Sequence, residues 1–313
     1  MGFSVPLARH LLDRDADART REGLVAGLLA DPATRVLSLW KGRVLLTQKV
    51  EGRAPTLELV GTDAVDPEGL FVYLGRLHVG GGEVVPLLGT VIDDEAAQGI
   101  EPDAERWQPL RAAAAVLSDA EAALVVEAIA VFNWHDSHRH CPRCGAATQV
   151  RTGGWVRFCP VDKLEVFPRT DPAVIVLVTD ADDRVLLGSN ASWQGNRYSL
   201  LAGFVEPGES LEHAVIRELK EETGLDVVEP AYRGSQPWPF PASIMLGFTA
   251  ALAPHQKPED IAPDGQEILE LRWFSREDLR AAHDDVVLPG AASIARALLE
   301  EWFGGPLGDE ERW

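Results

Sequence analysis

Residues 203–225 read GFVEPGESLEHAVIRELKEETGL and put six carboxylates and one arginine into a short loop-and-helix segment. Leu211, Val215 and Leu219 recur four apart with Ala214 and Ile216 beside them. That spacing predicts a helix over 210–223 with one apolar stripe that packs on a sheet. Glu218, Glu221 and Glu222 share a neighbouring stripe, where like charges destabilise an isolated helix. Glu209 precedes the helix and suits its start, but Glu221 and Glu222 lie in the last turn, against the macrodipole. A cation is the missing partner. Oxygen ligands select a hard divalent ion, and magnesium, held by a few carboxylates plus substrate phosphate, fits better than a calcium cage. Gly203 and Gly208 let the loop bend, and Gly224 is placed as a left-handed C-cap. A solvated, glutamate-rich surface helix is the competing reading.

The 313-residue chain is long enough for two domains, each with its own core. Hydrophobic content of 46% and charged content of 25% match an ordinary soluble protein. No apolar run reaches membrane-spanning length, and the first residues, MGFSVPLARHLLDRDADART, lack the apolar core and cleavage site of a secretory signal. No membrane partner and a cytoplasmic location are therefore expected. The net charge of −20 argues against broad electrostatic binding to nucleic acid or anionic membrane. No internal repeat stands out.

Residues 1–135 read as an amino-terminal α/β domain. Apolar stretches at 36–40 and 43–47 flank Lys41-Gly42 as a hairpin, 70–77 and 84–92 read as strands separated by Gly80-Gly81-Gly82, and Ser118 with Glu121 forms a capping box opening a helix towards Trp134. Nothing in this domain carries recognisable chemistry, and a role in packing and dimerisation is expected. Residues 136–170 hold all three cysteines, as Cys141-Pro-Arg-Cys144 and Cys159-Pro-Val-Asp162. Two such pairs joined by a hairpin describe a zinc ribbon, whose ion staples a segment too small for a core. Asp162 stands where a four-cysteine ribbon has its last thiolate. Carboxylate also ligates zinc, His138 or His140 could substitute, and a ribbon without metal is the remaining alternative. Arg139, Arg143, Arg151, Arg157, Lys163 and Arg169 make the same segment a basic island on an acidic chain. Residues 171–313 then alternate strands (173–180, 184–188, 198–204, 225–228, 244–252, 268–274) with helices at 210–223, 276–283 and 291–303. This order predicts an α/β/α sandwich around a mixed sheet. SQPWPFPAS at 235–243 reads as a stiff, exposed loop suited to a flat ring.

Gly203, Glu209, Arg217, Glu218, Leu219, Glu221, Glu222, Gly224 and Leu225 fill every fixed place of the Nudix box. With SQPWPFPAS, Phe167-Pro168-Arg169 and Asp171-Pro172, the chain resembles the NADH pyrophosphatase subgroup of the Nudix hydrolases over nearly its whole length. The resemblance implies cleavage of NADH or NAD+ to AMP and nicotinamide mononucleotide, with removal of NAD caps from RNA in some members, and a homodimer. It implies that Glu218, Glu221, Glu222 and Glu267 meet magnesium or manganese, with Arg217 orienting them. Phe167, from the other subunit, and Phe204 would stack on a base, Gln236, Ser243 and Ala295 would line its pocket, and Trp238 would stiffen it. Glu222, or failing it Glu221, would activate water while Glu218 holds metal. Hydrolysis of ADP-ribose, a dinucleoside polyphosphate or coenzyme A is the second reading, and a non-catalytic nucleotide sensor the third.

Overall fold

The computed structural model describes residues 5–8, 12–78, 84–193, 195–281 and 286–308. It divides into two compact units, one made of Met1–Ala8, Asp171–Trp238 and Ser243–Trp313, the other of Arg9–Thr170 and Pro239–Ala242. Val5 and Leu7, on the amino-terminal side of the sequence boundary, are therefore part of the carboxyl-terminal unit.

In the amino-terminal unit, β1 (Arg35–Trp40), β2 (Arg43–Leu45), β3 (Val60–Gly61), β4 (Phe71–His78), β5 (Val84–Val91) and β6 (Trp107–Pro109) form one sheet. Its order is β4-β5-β1-β2-β6, with β3 also on β1. The β1–β2 hairpin turns at Lys41 and Gly42, with φ of 51° and 72°, the left-handed pair that matches strand twist. The helices are α1 (Leu24–Ala30), α2 (Asp94–Ile100), α3 (Leu110–Ala113) and α4 (Asp119–Ser137). Helix α4 opens on the expected capping box between Ser118 and Glu121. It packs close to the sheet at Gly89, where an added Cβ would stand 3.0 Å from a ring carbon of Phe132. Gly80–Gly82 of the sequence reading lies outside the described residues.

The ribbon segment adds a separate antiparallel sheet of β7 (Gln149–Arg151), β8 (Val156–Phe158) and β9 (Glu165–Val166). Its turn is anchored on β4, where Trp155 Nε1 donates to the Tyr73 carbonyl at 2.8 Å. At Gly154, with φ of 92°, an added Cβ would come within 2.8 Å of Val72 Cα, so backbone meets backbone there. His135 of α4 closes the junction. Its Nε2 pairs with the Gly154 carbonyl at 2.8 Å, its Nδ1 accepts from Arg157 Nε at 3.0 Å, and Arg157 Nη2 donates to the His135 carbonyl at 3.1 Å. Arg157 is thereby buried, whereas Arg139, Arg143, Arg151, Lys163 and Arg169 are exposed. The basic island loses one member to the core.

In the carboxyl-terminal unit, β10 (Asp171–Thr179), β11 (Val185–Asn190), β12 (Leu201–Phe204), β13 (Val227–Trp238), β14 (Ser243–Leu252) and β15 (Ile268–Phe274) form a mixed sheet of order β13-β14-β10-β11-β15, with β12 on β10. Strand β10 is parallel to β14 and antiparallel to β11 and β12. It reads as a continuous apolar run because both faces are covered. Val174, Val176 and Val178 face α5 (Leu211–Thr223) through Ala214, Val215 and Leu219. Ile175 and Leu177 face α7 (Ile294–Phe303) through Ile294, Leu298 and Leu299, in a cluster that also takes in Val5. The expected α/β/α sandwich results. Helix α6 spans Arg276–Ala281, and 282–283, to which the sequence reading extended it, lie outside the described residues.

Two expectations need correction. SQPWPFPAS is not a loop throughout: Gln236, Pro237 and Trp238 pair with Met245, Ile244 and Ser243, so the prolines sit in and around the β13–β14 hairpin. They are tolerated because β13 is an edge strand, with one row of backbone groups free of ladder bonds. The chain also contains a structural repeat that its sequence hides. The order β4-β5-β1-β2-β6 with β3 on β1 is that of β13-β14-β10-β11-β15 with β12 on β10, including the parallel pairs β1–β5 and β10–β14.

Candidate active site

Helix α5 starts at Ser210, whose side chain accepts from His213 N, and ends at Gly224, with φ of 72°. Burial of Ala214, Val215 and Leu219 fixes its rotation on the sheet, each large apolar side chain contributing about 1.5–3 kcal/mol. The carboxylate stripe is turned the other way, towards β12. Gly203 of β12 is required there: an added Cβ would lie 1.9 Å from Glu218 Cδ.

Arg217 organises the carboxylates. Its Nε and Nη2 hold the two oxygens of Glu209, both at 2.8 Å, and Nη1 donates to Glu218 Oε1 at 3.0 Å and Glu221 Oε2 at 2.9 Å. Nη2 also donates to the Phe204 carbonyl at 2.9 Å, so every guanidinium nitrogen is engaged. Arg217 pulls the Glu209 carboxyl down to about 2, whereas burial raises that of Glu218. Glu222 differs. It is 6% exposed, and its Oε2 has no hydrogen-bond partner. Burial, followed by the charges of Glu218, Glu267, Asp264 and Glu221, pushes its carboxyl up to about 8. A buried acceptor without a donor, surrounded by negative charge, fits a missing cation, and an all-oxygen donor set fits a hard divalent one.

Glu267 is exposed at the start of β15 and influences Glu222 electrostatically. The sequence reading missed Asp264, which holds this turn. Its carboxylate accepts from Gln266 N at 3.2 Å, Glu267 N at 3.1 Å and Ile268 N at 2.8 Å. Asp264-Gly265 ahead of Glu267 was the available turn signal.

The residues implied to bind substrate fall into different settings. Phe204 and Phe167 are both 59% exposed, Phe204 in the carboxyl-terminal unit and Phe167 in the amino-terminal one. Trp238 and Ser243 face each other across the hairpin, and Ala295 is buried in the first turn of α7. Gln236 has no exposed surface, and its carboxamide is occupied by protein partners.

In the ribbon, ligand atoms of Cys141, Cys144, Cys159 and Asp162 all lie within 4.8 Å of one another. Cys141 Sγ is 3.3 Å from Asp162 Oδ2, and Cys144 Sγ is 3.5 Å from Cys159 Sγ. Tetrahedral zinc with sulfur and oxygen ligands needs ligand separations of about 3.3–3.8 Å. The donor set therefore fits zinc. His138 and His140 are not in the cluster, and His138 Nδ1 pairs with Ser137 Oγ at 2.9 Å.

Family models match the chain in three consecutive pieces: the NADH pyrophosphatase-like rudimentary NUDIX domain at 33–134, the NADH pyrophosphatase zinc ribbon domain at 136–167, and the NUDIX domain at 169–297. A Mycobacterium bovis protein described as NAD-capped RNA hydrolase NudC is 40% identical over 96% of this chain and 95% of its own. The chain belongs to the NADH pyrophosphatase group of the Nudix hydrolases. A Mycobacterium tuberculosis relative of the same description is 39% identical over the same shares, and one from Stutzerimonas stutzeri is 40% identical over 66% of this chain and 71% of its own. The rudimentary domain of this Nudix hydrolase accounts for the repeated sheet. Its first copy has a short 3-10 turn, Thr62–Ala64, after β3, where the second has the carboxylate helix after β12. No helix among the described residues is long and apolar enough to cross a membrane.

Proposed function

We propose that this enzyme hydrolyses the pyrophosphate bond of NADH or NAD+, giving AMP and nicotinamide mononucleotide, and attacks the same bond in an NAD cap on RNA. The observation that carries hydrolysis is Glu222 Oε2, buried and unpartnered, on the helix that also carries Arg217, Glu218 and Glu221. The substrate reading is supported by near-full-length relatives described as NAD-capped RNA hydrolases, together with SQPWPFPAS at the β13–β14 hairpin.

Magnesium or manganese is the proposed catalytic ion and zinc the proposed ribbon ion, held by Cys141, Cys144, Cys159 and Asp162. Bound at the carboxylates, divalent ions would supply positive charge to neutralise the pyrophosphate and polarise a phosphoryl oxygen. Glu218, Glu221, Glu222 and Glu267 would hold them, and Arg217 keeps Glu218 and Glu221 in fixed orientation. Glu222 takes the proton of the attacking water, a contribution of roughly a hundred- to ten-thousand-fold for a positioned base. Phe204 stacks on a base of the substrate, and Phe167 does so from a partner subunit in a homodimer, a reading supported by the exposure of both rings. Three free cysteines grouped with Asp162 as ligands for the proposed zinc suit the reducing cytoplasm.

Incubation with NADH and magnesium or manganese, followed by chromatography, tests the proposal. AMP and reduced nicotinamide mononucleotide, abolished by chelator, are expected. ADP-ribose cleaved much faster than NADH would overturn the substrate assignment, and NADH bound but uncleaved would make the protein a sensor.

A further inference from the structure

Glu267 stands one residue ahead of β15, at the end of a turn that Asp264 builds. Asp264 Oδ1 accepts from Gln266 N and Glu267 N, each at 3.2 Å, and from Ile268 N at 2.8 Å, while Oδ2 accepts from Glu267 N at 3.1 Å. Gly265 N donates to the Ile268 carbonyl at 3.1 Å, and Gly265 has a φ of 72°, where a side chain would be strained although no atom crowds it. From the other side, the Glu267 carbonyl accepts from Ala191 N, just past β11, at 2.8 Å. Both backbone groups of Glu267 are therefore tied, and only its side-chain torsions remain.

Next to the turn, the β11–β15 ladder passes from Ser189–Glu270 to Asn190–Ile268, a bulge that leaves Leu269 without a ladder partner and exposed. Such a bulge re-aims the side chains beside it. Ile268 is the fixed point, buried in the core cluster that also holds Val215 and Leu219 of α5. After burial and Glu218, the charge of Glu267 and then that of Asp264 raise the Glu222 carboxyl, so the turn acts on the carboxylate stripe. The two acids have different tasks. Backbone donors take up the Asp264 oxygens, whereas Glu267 is exposed.

We propose that Asp264 is a positioning residue: without ligating the catalytic ion, its carboxylate holds the turn at 264–268 so that Glu267 meets the ion in one orientation. This role rests on the reading of Glu267 as a metal carboxylate.

The test follows free manganese by its EPR signal during titration of the full chain, which gives the number of sites and their dissociation constant without turnover. The proteins are the parent, Asp264→Ala, Asp264→Asn, Glu267→Ala and the Asp264→Ala/Glu267→Ala pair. Asp264→Ala is expected to raise the dissociation constant about tenfold at an unchanged number of sites, the scale for losing a group that orients a ligand. Asp264→Asn keeps the Oδ1 acceptor and stays within about threefold of the parent. Glu267→Ala weakens binding at least as much as Asp264→Ala, and the pair goes no further than Glu267→Ala alone. Parental affinity in Asp264→Ala would overturn the proposal, as would Asp264→Asn binding as weakly as Asp264→Ala, since charge and not the turn would then matter. Effects that multiply in the pair would show Asp264 acting without Glu267, and fewer sites at an unchanged dissociation constant would show only loss of folded protein; either also overturns it. Gly265→Ala, which distorts the same turn and keeps both carboxylates, replaces Asp264→Ala if that protein does not fold, and is held to the same criteria. Parental affinity in Glu267→Ala, with Asp264→Ala weakened, would instead refute the assignment of Glu267 to the metal.

Discussion

A methyl group added at Gly203 would lie 1.9 Å from Cδ of Glu218 and 2.2 Å from both of its oxygens. Glu218 must then leave its place, and Arg217 Nη1, which it shares with Glu221, follows. Gly203→Ala should therefore fold but need a much higher manganese concentration for half-maximal turnover; a normal manganese titration would contradict this account of the glycine. Glu222 allows a second prediction at the same scale. Glu222→Gln should lower kcat by roughly a hundred- to ten-thousand-fold at saturating magnesium. It should also change how the metal-free protein responds to pH. The folded carboxyl titrates at about 8, above the ordinary 4.5, so the folded state keeps a proton that the unfolded chain has lost. That contribution to stability is complete below about 4.5 and disappears as pH rises through about 8. Urea midpoints between pH 5 and 9 should decline less in Glu222→Gln than in the parent, and parallel curves would contradict the burial argument.

At the scale of elements, α5 was legible to its caps, because Ser210, the four-residue apolar stripe and Gly224 all specify one helix. SQPWPFPAS was not. Proline removes backbone donors, which reads as a loop, and only the edge position of β13 shows that those donors were not needed. The repeated sheet was equally hidden, since strand order depends on pairings between distant residues and the first copy lacks the carboxylates that made the second recognisable. The α4–ribbon junction escaped for a related reason. His135 and Arg157 are 22 residues apart and meet only after both elements fold. His135→Gln should cost about 1–3 kcal/mol, because Arg157 Nε and the Gly154 carbonyl lose a partner inside the protein. Burial, with Arg157 adding to it, pushes the His135 imidazole down to about 4, while the unfolded chain takes up this proton near 6.5. The stability it contributes is present above about 6.5 and is lost as pH falls towards 4. The difference in urea midpoint between parent and His135→Gln should shrink across that window, whereas a constant difference would mean that His135 does not titrate there.

On the scale of the whole molecule, the two proposed metal sites lie in different compact units and use opposite donor chemistry. Hard carboxylates on α5 suit an ion that exchanges with solvent and meets phosphate; three thiols and Asp162 suit one that is retained as part of the fold. Magnesium removal should therefore stop turnover with little change in the ribbon, whereas zinc removal should release the hairpin that Gly154 and Trp155 hold against β4. The residue at position 162 makes this prediction specific to the chain. A carboxylate oxygen is a harder ligand than a thiolate, so zinc should leave this site faster than a four-cysteine site of the same shape. Asp162→Cys should retain about one zinc per chain, release it more slowly to a chromogenic chelator, and raise the melting temperature only while zinc is bound. Cobalt substitution offers a readout independent of activity, because exchanging the oxygen ligand for a fourth sulfur should shift the visible bands. Identical cobalt spectra and identical release rates in parent and Asp162→Cys would mean that Asp162 stands beside the ion without binding it, and that the ribbon takes its fourth ligand from elsewhere.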